Sequence, residues 1–338
     1  MSTRLLFSFF CLSIVLVVLL GMPSKKIVVE RPTVAAVVTA LPEEPKKPEE
    51  IKLVFVGDIM LSRKIGKLLH ERDDYAFPFA STTELIRSAD IAFANLENPI
   101  STGGILSGSI YSFRAKPDTV ESLNYAGFDV VSIANNHIWD YGKQAFLDTL
   151  SNLSGNGIIA VGGGENYPQA HAPKIIAIEK ENWSKPTRIA FLAYTNLISS
   201  FLGHASSTPA VARFNDAILQ ADIGLAKELA DVIIVSFHWG EEYETTHNRE
   251  QERVAKLAID AGANLIVGHH PHVVQEVEEY NGAYILYSLG NFVFDQNFSE
   301  DTGKGLLVEV TLKDGVIAEV VKKDVAFSAD DFHPYFVE

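Results

Sequence analysis

Three apolar runs in this sequence stop at histidines. The runs are residues 130–134 before Asn135, Asn136 and His137, residues 232–237 before His238, and residues 265–268 before His269, His270 and His272. A buried strand that ends in this way is how many α/β proteins present metal ligands, and neutral imidazole is the commonest protein ligand for transition metals. The chain has 10 histidines, so three within four positions indicate a metal site rather than chance.

Strand-like and helical segments alternate after residue 50. The predicted strands are 51–56, 90–94, 128–134, 157–161, 188–194, 232–237 and 264–267, and the predicted helices are 83–88, 117–126, 143–153, 215–230 and 249–261. Residues 282–287, 305–312 and 316–321 are expected to form antiparallel strands, with a hairpin turn at 313–315. This order predicts an α/β fold in which helices flank a central pair of sheets.

The first 50 residues do not resemble part of this domain. Residues 5–22 are almost entirely apolar and long enough to cross a bilayer, which predicts a signal anchor over residues 1–24. A cleaved signal peptide is the alternative. Residues 25–50 are rich in proline and carry mixed charges, so they are expected to form an extended stalk. The folded domain is then residues 51–338.

The orientation of the anchor depends on two opposing signals. Lys25, Lys26 and Arg31 outnumber Arg4, which by the positive-inside rule favours a cytoplasmic domain. An apolar segment so close to the N-terminus usually directs the export of the chain after it. We therefore expect a single-pass cell-membrane protein with an extracytoplasmic domain.

Charge and cysteine content exclude several classes of function. The net charge is −15 and basic clusters are lacking, which argues against nucleic-acid binding. An anionic substrate would need bound divalent cations to offset this charge locally. The single cysteine, Cys11, lies in the apolar segment, so the folded domain has no thiolate chemistry.

Polar residues cluster where the predicted strands end. They are Asp58, Asn95, Glu97, Asn135, Asn136, His137, His238, His269, His270 and His272. Ligands of open α/β sheets bind beyond the carboxyl ends of strands, so these segments are expected to meet. Carboxylate, amide and imidazole donors suit Mn, Fe or Zn, and two such ions can activate a water molecule and stabilise a departing oxygen. One or two divalent ions are therefore predicted.

Several of these residues also have structural interpretations. Asp58, Asn95 and Asn135 suit turns, and His137 and His238 taken singly could be core histidines. The histidine triplet is harder to explain without a metal. Asn291 comes after another apolar strand and could hydrogen-bond a ligand or a histidine, or simply form a turn.

Residues 52–295 resemble the bacterial capsule-synthesis family called CapA, or poly-γ-glutamate synthesis proteins (PGA_cap). Six ordered motifs carry the resemblance: residues 56–60 (VGDIM), 95–99 (NLENP), 134–137 (ANNH), 238–240 (HWG), 268–273 (GHHPHV) and 287–292 (YSLGNF). The family is similar in turn to the calcineurin-like metallophosphatases, whose fold packs two β-sheets between helices. The resemblance therefore implies a metallophosphatase-like α/β fold.

The same resemblance implies roles for individual residues. Asp58 matches the first metal-binding aspartate, although Met60 occupies the place of its partner histidine. Glu97 stands for the bridging carboxylate, without the usual Gly-Asp before it. The implied roles of the others are metal ligation by Asn136 and His238, proton donation to the leaving group by His137, and ligation by His272 with either His270 or His269. Asn95, Asn135 and Asn291 are expected to contact the ligands or the substrate.

The function implied is that of a membrane-anchored, metal-dependent hydrolase in the synthesis, export or anchoring of capsular poly-γ-glutamate or a related surface polymer. A metal-activated water would attack a phosphoester or an amide carbonyl, with His137 as general acid. Expected partners are the anionic polymer or its precursor, the membrane through the N-terminal helix, and other capsule-synthesis membrane proteins. The alternatives are a non-catalytic, polymer-binding or assembly subunit of a capsule export complex, and a cytoplasmic phosphatase with an inward anchor.

Overall fold

The computed structural model describes residues 50–107, 110–181, 183–200, 208–328 and 330–337. The predicted anchor and the predicted stalk up to residue 49 lie outside these ranges. Within them, no helix combines the length and the hydropathy that a membrane span requires. The first strand begins at Glu50, one residue before the predicted start of the domain.

The described residues form short strands and helices in alternation. The strands are β1 (Glu50–Ile59), β2 (Ile91–Leu96), β3 (Val130–Ser132), β4 (Ile159–Val161), β5 (Gly163–Gly164), β6 (Lys174–Ile178), β7 (Thr187–Thr195), β8 (Ala210–Val211), β9 (Val232–His238), β10 (Leu265–His269), β11 (Val277–Tyr280), β12 (Ala283–Leu286), β13 (Asn291–Val293), β14 (Lys304–Lys313), β15 (Val316–Phe327) and β16 (Pro334–Phe336). The helices are α1 (Arg63–Arg72), α2 (Thr83–Arg87), α3 (Val120–Ala126), α4 (Gly142–Gly155), α5 (Tyr167–His171), α6 (Asp216–Leu229) and α7 (Arg249–Ala261), with 3-10 turns at Phe77–Phe79 and Pro117–Thr119.

The first of two large sheets has eight strands in the order β16-β15-β14-β1-β2-β3-β4, and β13 pairs with β1 beside this path. Strands β1 to β4 are parallel to one another, whereas β14, β15 and β16 form an antiparallel meander. In the parallel part Asp58 of β1 pairs with Asn95 of β2. The carboxyl ends of these two strands therefore lie side by side.

The second sheet has six strands in the order β11-β12-β10-β9-β7-β6. Its four inner strands are parallel, and the two edge strands are antiparallel to their neighbours. In register, His269 of β10 pairs with His238 of β9, which pairs with Thr195 of β7. Two of the three histidine-terminated runs thus end next to each other.

The two sheets pack face to face. Alternate residues of the second sheet point to opposite sides, so one side meets the first sheet and the other side meets the helices. On β9, Val232 and Ile234 join the core shared with the first sheet, while Ile233, Val235 and Phe237 pack under α6 and α7. Phe93 of β2 and Phe191 of β7 stack between the sheets with ring centroids 5.8 Å apart. Strands buried on both faces read as continuous apolar runs, which is the pattern seen in the sequence.

Two glycines allow backbone segments to meet at the end of the sheets. A Cβ atom at Gly57 would lie 1.9 Å from the carbonyl oxygen of Gly290, and one at Gly268 would lie 1.9 Å from that of Tyr287. No side chain fits at such distances, so only glycine permits these approaches. They bring the loop after β12 against the ends of β1 and β10.

The predicted α/β class, with helices flanking two central sheets, is confirmed. Residues 282–287 were expected to be antiparallel, but β12 is antiparallel only to β11 and runs parallel to β10. β15 also extends past the predicted end at residue 321, to Phe327. Its second half is rich in charge and half exposed, so pairing with β14 and β16, rather than an apolar pattern, keeps it extended.

Candidate metal centre

A buried carboxylate oxygen lies at the centre of the residues that come after the strands. Glu97, directly after β2, is fully buried, and its Oε1 atom has no hydrogen-bond partner among the described residues. Three imidazole Nε2 atoms surround it, that of His272 at 3.5 Å and those of His137 and His238 at 3.9 Å. A buried carboxylate oxygen without a hydrogen bond is costly unless a cation offsets its charge.

Asp58, at the end of β1, is the second buried carboxylate of the site. Its Oδ2 atom accepts the backbone N–H of His270 at 3.2 Å and lies 3.4 Å from Nδ1 of His272. Nδ1 of His269 lies 3.3 Å from Oδ1, outside the direction of a hydrogen bond. Burial opposes ionisation of Asp58, but the imidazoles of His269 and His272 hold its pKa well below the usual value.

The pKa of Glu97 is displaced in the opposite direction. Burial, followed by the nearby Asp58 carboxylate, raises it well above the ordinary value. A divalent ion between the two carboxylates would favour the charged form of both, because a bound ion is the largest local charge in such a site.

His272 has a fixed orientation. Its Nδ1–H donates to Oδ1 of Asn291 at 2.9 Å, and Asn291 is itself held by donating to the carbonyl oxygen of Thr302. The remaining nitrogen, Nε2, therefore directs its lone pair toward Glu97 Oε1. Two acceptors facing each other at this distance leave a position for a cation, and a hydrogen bond to the other nitrogen is how proteins fix a metal-binding histidine.

Asn95 and Asn136 connect the two sheets through His238. Nε2 of His238 donates to Oδ1 of Asn136 at 2.8 Å, and Nδ2 of Asn95 lies 3.3 Å from Nδ1 of the same ring. Asn95 also donates to Asp58 at 2.8 Å and to Glu97 at 3.3 Å. Burial, together with neighbouring His270, lowers the pKa of His238 well below its usual value, which keeps the ring neutral and its Nε2–H on Asn136.

Asn135 shapes the loop that carries Asn136 and His137. Its side chain donates to Asn95 Oδ1 and to the carbonyl oxygen of Leu96, and it accepts the backbone N–H groups of His137 and Ile138. The side chain of Asn135 thus forms a turn, which is one of the two roles that the sequence allowed for this residue. This turn places His137 at the edge of the site.

His137 is the most accessible imidazole of the cluster. Its side chain is 12% exposed, and Nδ1 donates to the Asp140 carboxylate at 2.8 Å. Asp140 is buried and also accepts the backbone N–H of Phe113. The free nitrogen, Nε2, faces Glu97 at 3.9 Å. Nε2 is therefore the nitrogen of this ring that can meet a group entering the cleft.

His269 and His270 differ in depth. His269 is fully buried over the ring of Phe93, and neither of its nitrogens has a hydrogen bond among the described residues. His270 lies nearer the surface, with its ring 4.8 Å from that of His238, and its backbone is held at φ +100°. His272 also has a positive φ, +58°. Such strain in non-glycine residues concentrates at functional sites.

Two overlapping groups of side chains can hold a metal ion. Asp58, Glu97 and His272 form a fully buried group, and Glu242, His270 and His272 form a second, with potential ligand atoms within 4.8 Å of one another in each. The unpaired Glu97 oxygen and the unpaired Nδ1 of His270 belong to these groups. The donor set is imidazole and carboxylate, which fits Mn, Fe or Zn.

Sequence reasoning missed Asp140, and for Glu242 it favoured surface exposure over a place in the site. Asp140 lies three positions after His137, and that spacing was the available signal. Glu242 is an exposed residue in the loop after β9, and its approach to His270 depends on the tertiary course of that loop. Met60, where the resemblance places a histidine, is buried against Phe113 and Phe294 and offers no nitrogen ligand.

The buried neutral histidines predict a pH dependence of stability. Burial, then His272, lowers the pKa of His270 to about 3, whereas the unfolded chain titrates near the usual value. The unfolded state therefore binds a proton that the folded state does not bind. As a result, the free energy of unfolding decreases as the pH falls below about 6.5. Between about pH 7 and 5 this amounts to about 2 kcal/mol.

Chelator-treated protein and its His270→Asn variant, unfolded in urea at both pH values, would measure this effect. The free energy of unfolding of the wild type should fall by about 2 kcal/mol more than that of the variant. Parallel pH dependence of the two proteins would show that His270 is not held neutral.

Comparison with known proteins gives a consistent result. The family model described as "Bacterial capsule synthesis protein PGA_cap" matches residues 52–296. PGA biosynthesis protein CapA of Bacillus subtilis (strain 168) is 36% identical over 262 residues, which cover 77% of this chain and 67% of that protein. Capsule biosynthesis protein CapA of Bacillus anthracis is 33% identical over 295 residues, covering 84% and 70%.

Solved structures are also similar, and one of them serves as an example. The calcineurin-like phosphoesterase YfkN from Bacillus subtilis aligns with a TM-score of 0.47 and 15% identity, over 82% of this chain and 91% of that one.

Proposed function

Because this chain belongs to the PGA_cap family of bacterial capsule synthesis proteins, we propose that it is a metal-dependent hydrolase in the synthesis, export or anchoring of capsular poly-γ-glutamate or a related surface polymer. One observation carries the hydrolase part of the proposal. The buried Oε1 atom of Glu97 has no hydrogen-bond partner among the described residues, yet three imidazoles lie within 3.9 Å of it. A divalent cation is the simplest occupant that offsets the charge of Glu97 and accepts the lone pair of His272 Nε2.

The chain would hold the ion through Asp58, Glu97 and His272, with His270 and Glu242 available for a second ion. When bound, such an ion supplies Lewis acidity toward a phosphoester or amide oxygen and lowers the pKa of a water molecule. His137 would give a proton to the leaving atom through Nε2, while Asp140 keeps its ring oriented. Asn291 keeps Nε2 of His272 directed into the site.

Metal content and metal-dependent turnover test this proposal. The full chain, purified in detergent without chelators, should contain one or two equivalents of Mn, Fe or Zn by elemental mass spectrometry. It should hydrolyse an aryl phosphoester or a γ-linked glutamate oligomer, lose this activity on chelation, and regain it when the same metal is returned. Protein that binds no metal and turns over neither substrate would contradict the hydrolase proposal.

The proposal includes attachment to the outer face of the cell membrane through residues 1–24, with residues 25–50 as a spacer. The apolar run and the proline-rich segment after it support this arrangement. Protease added to intact cells should then degrade the folded domain, whereas a domain on the cytoplasmic side would survive.

A non-catalytic role in binding or assembling the polymer is the second candidate. The observation that favours it is Met60, which replaces an expected nitrogen ligand with a buried thioether packed on Phe113 and Phe294. Retention of polymer binding in a protein that holds no metal would support this role over the first.

A further inference from the structure

A cleft of about 570 Å³ opens in front of His137 and His272. Its other walls include the aromatic side chains of Phe113 and Tyr243, and the carboxylates of Glu242 and Asp295. Arg63 is the only lysine or arginine among the described residues that line it. A single cation in an otherwise acidic cleft is a candidate for recognising a negatively charged ligand.

The backbone of Arg63 is held in an unusual conformation at the start of α1. Its φ is +51°, a left-handed value that is unfavourable for a non-glycine residue. Neighbouring contacts hold the segment in place: the backbone N–H of Leu61 donates to Asn98 at 2.7 Å, and that of Lys64 donates to Asp295 at 3.2 Å. In this conformation Arg63 lines the cleft as well as a groove along α1 that Lys67 and His70 also line.

The side chain of Arg63 has one carboxylate partner among the described residues. Nε lies 3.3 Å from Oδ2 of Asp295, and the guanidinium carbon lies 5.5 Å from the centre of the Phe113 ring. The contact with Asp295 is not bidentate, because the other carboxylate oxygen has no hydrogen-bond partner among the described residues. A guanidinium has five N–H donors in a planar fork, so donors remain for a second oxyanion.

Phe113 connects this cation to the proposed proton donor. Its ring contacts both side chains, with its centroid 4.1 Å from that of His137 and 5.5 Å from the guanidinium carbon of Arg63. A ligand group bound to Arg63 would therefore share the cleft with His137. The side chain of Arg63 is 41% exposed, so a group entering the cleft can reach it.

We propose that Arg63 is the substrate-binding residue that receives a carboxylate of an anionic chain in the cleft in front of His137. This inference rests on the proposed function and adds to it the residue that recognises the chain. In a protein with a net charge of −15, a polyanion entering beside Glu242 and Asp295 is repelled unless a cation faces it. Bidentate pairing with arginine suits a carboxylate, while Phe113 and Tyr243 can contact the methylene groups between charges.

Calorimetric titration of the full chain in detergent tests the inference without requiring turnover. The ligands are a γ-linked glutamate tetramer with free α-carboxylates and the same tetramer with these groups converted to neutral amides. Arg63→Met should weaken binding of the charged tetramer at least about 10-fold, as expected for the loss of a charge-assisted contact. Arg63→Lys should give an intermediate affinity, because ammonium cannot bind bidentately.

Two controls make the outcome specific. Lys67→Met removes a positive charge from the same helix at a side chain that is 69% exposed and pairs with Glu71, and it should bind both tetramers as the wild type does. The neutral tetramer should bind wild type and Arg63→Met alike. Equal weakening of both ligands in Arg63→Met would assign Arg63 a structural role with Asp295 and overturn the inference. Failure of the wild type to prefer the charged tetramer would overturn the assigned ligand class.

The titration also separates this inference from the proposed function. Charge-specific binding that depends on Arg63, in a protein without hydrolytic activity, would sustain the inference and contradict catalysis. Metal-dependent hydrolysis that changes neither with Arg63 nor with the charge of the ligand would support catalysis and contradict the inference.

Discussion

Replacing His272 with alanine is expected to remove almost all bound metal from the protein. His272 is the one residue shared by both groups of potential ligands, so its loss leaves Asp58 with Glu97 in one group and Glu242 with His270 in the other. Loss of a residue that only orients a ligand typically lowers metal affinity about 10–100-fold, so loss of the shared ligand should cost at least about 100-fold. Hydrolytic activity should fall with the metal content.

Elemental mass spectrometry of the purified variant, with circular dichroism as a check on folding, measures this result. Asn291→Ala is the graded control, because it removes only the acceptor that orients His272 and should lower affinity about 10–100-fold. His247→Ala is the matched control for losing an imidazole. His247 lies outside the site, stacked on Tyr287 and paired with Glu276, and its removal should leave the metal content unchanged. Full metal occupancy in a folded His272→Ala protein would contradict the assignment of this centre.

Most of the larger elements could be predicted because burial imposes a regular pattern on the chain. Helix α7, Arg249–Ala261, has the predicted bounds, since an asparagine capping box begins it and Gly262 ends it. Strands β9 and β10 are buried on both faces and therefore read as unbroken apolar runs. In contrast, α1 was not predicted, since only Ile65, Gly66 and Leu69 of its ten residues are buried. Strands of two or three residues, such as β5 and β13, are too short to carry any periodicity.

The residues of the candidate site also differ in how well the sequence predicts their positions. Asp58 and Asn95 could be placed together from the sequence because they end adjacent parallel strands, and such ends meet at one edge of a sheet. The places of Glu242, Asp140 and Arg63 in the site could not be predicted in this way. The first two lie in loops, and Arg63 lies at the start of a helix. Their positions depend on particular tertiary contacts, such as Asp295 holding Lys64 and Arg63. The sequence thus predicts the buried residues of this site better than the residues at its entrance.

Replacing His137 with glutamine is expected to lower kcat about 10²–10⁴-fold while leaving the bound metal in place. His137 lies at the entrance of the cluster, belongs to neither group of potential metal ligands, and keeps Nδ1 on Asp140. Glutamine retains a polar side chain of similar length but cannot deliver a proton. Loss of the metal in this variant would instead assign His137 as a ligand.

The dependence on the leaving group distinguishes a proton donor from a residue that only positions the substrate. An aryl ester with an acidic leaving group departs without protonation, whereas an alkyl ester or an amide needs a proton. His137→Gln should therefore lose far more activity toward the alkyl or amide substrate than toward the aryl ester. Asp140→Asn should show the same dependence more weakly, because it leaves the imidazole in place but removes the carboxylate that orients it at 2.8 Å. An equal loss toward both classes of substrate would remove His137 from the proton-transfer step and leave it a role in binding.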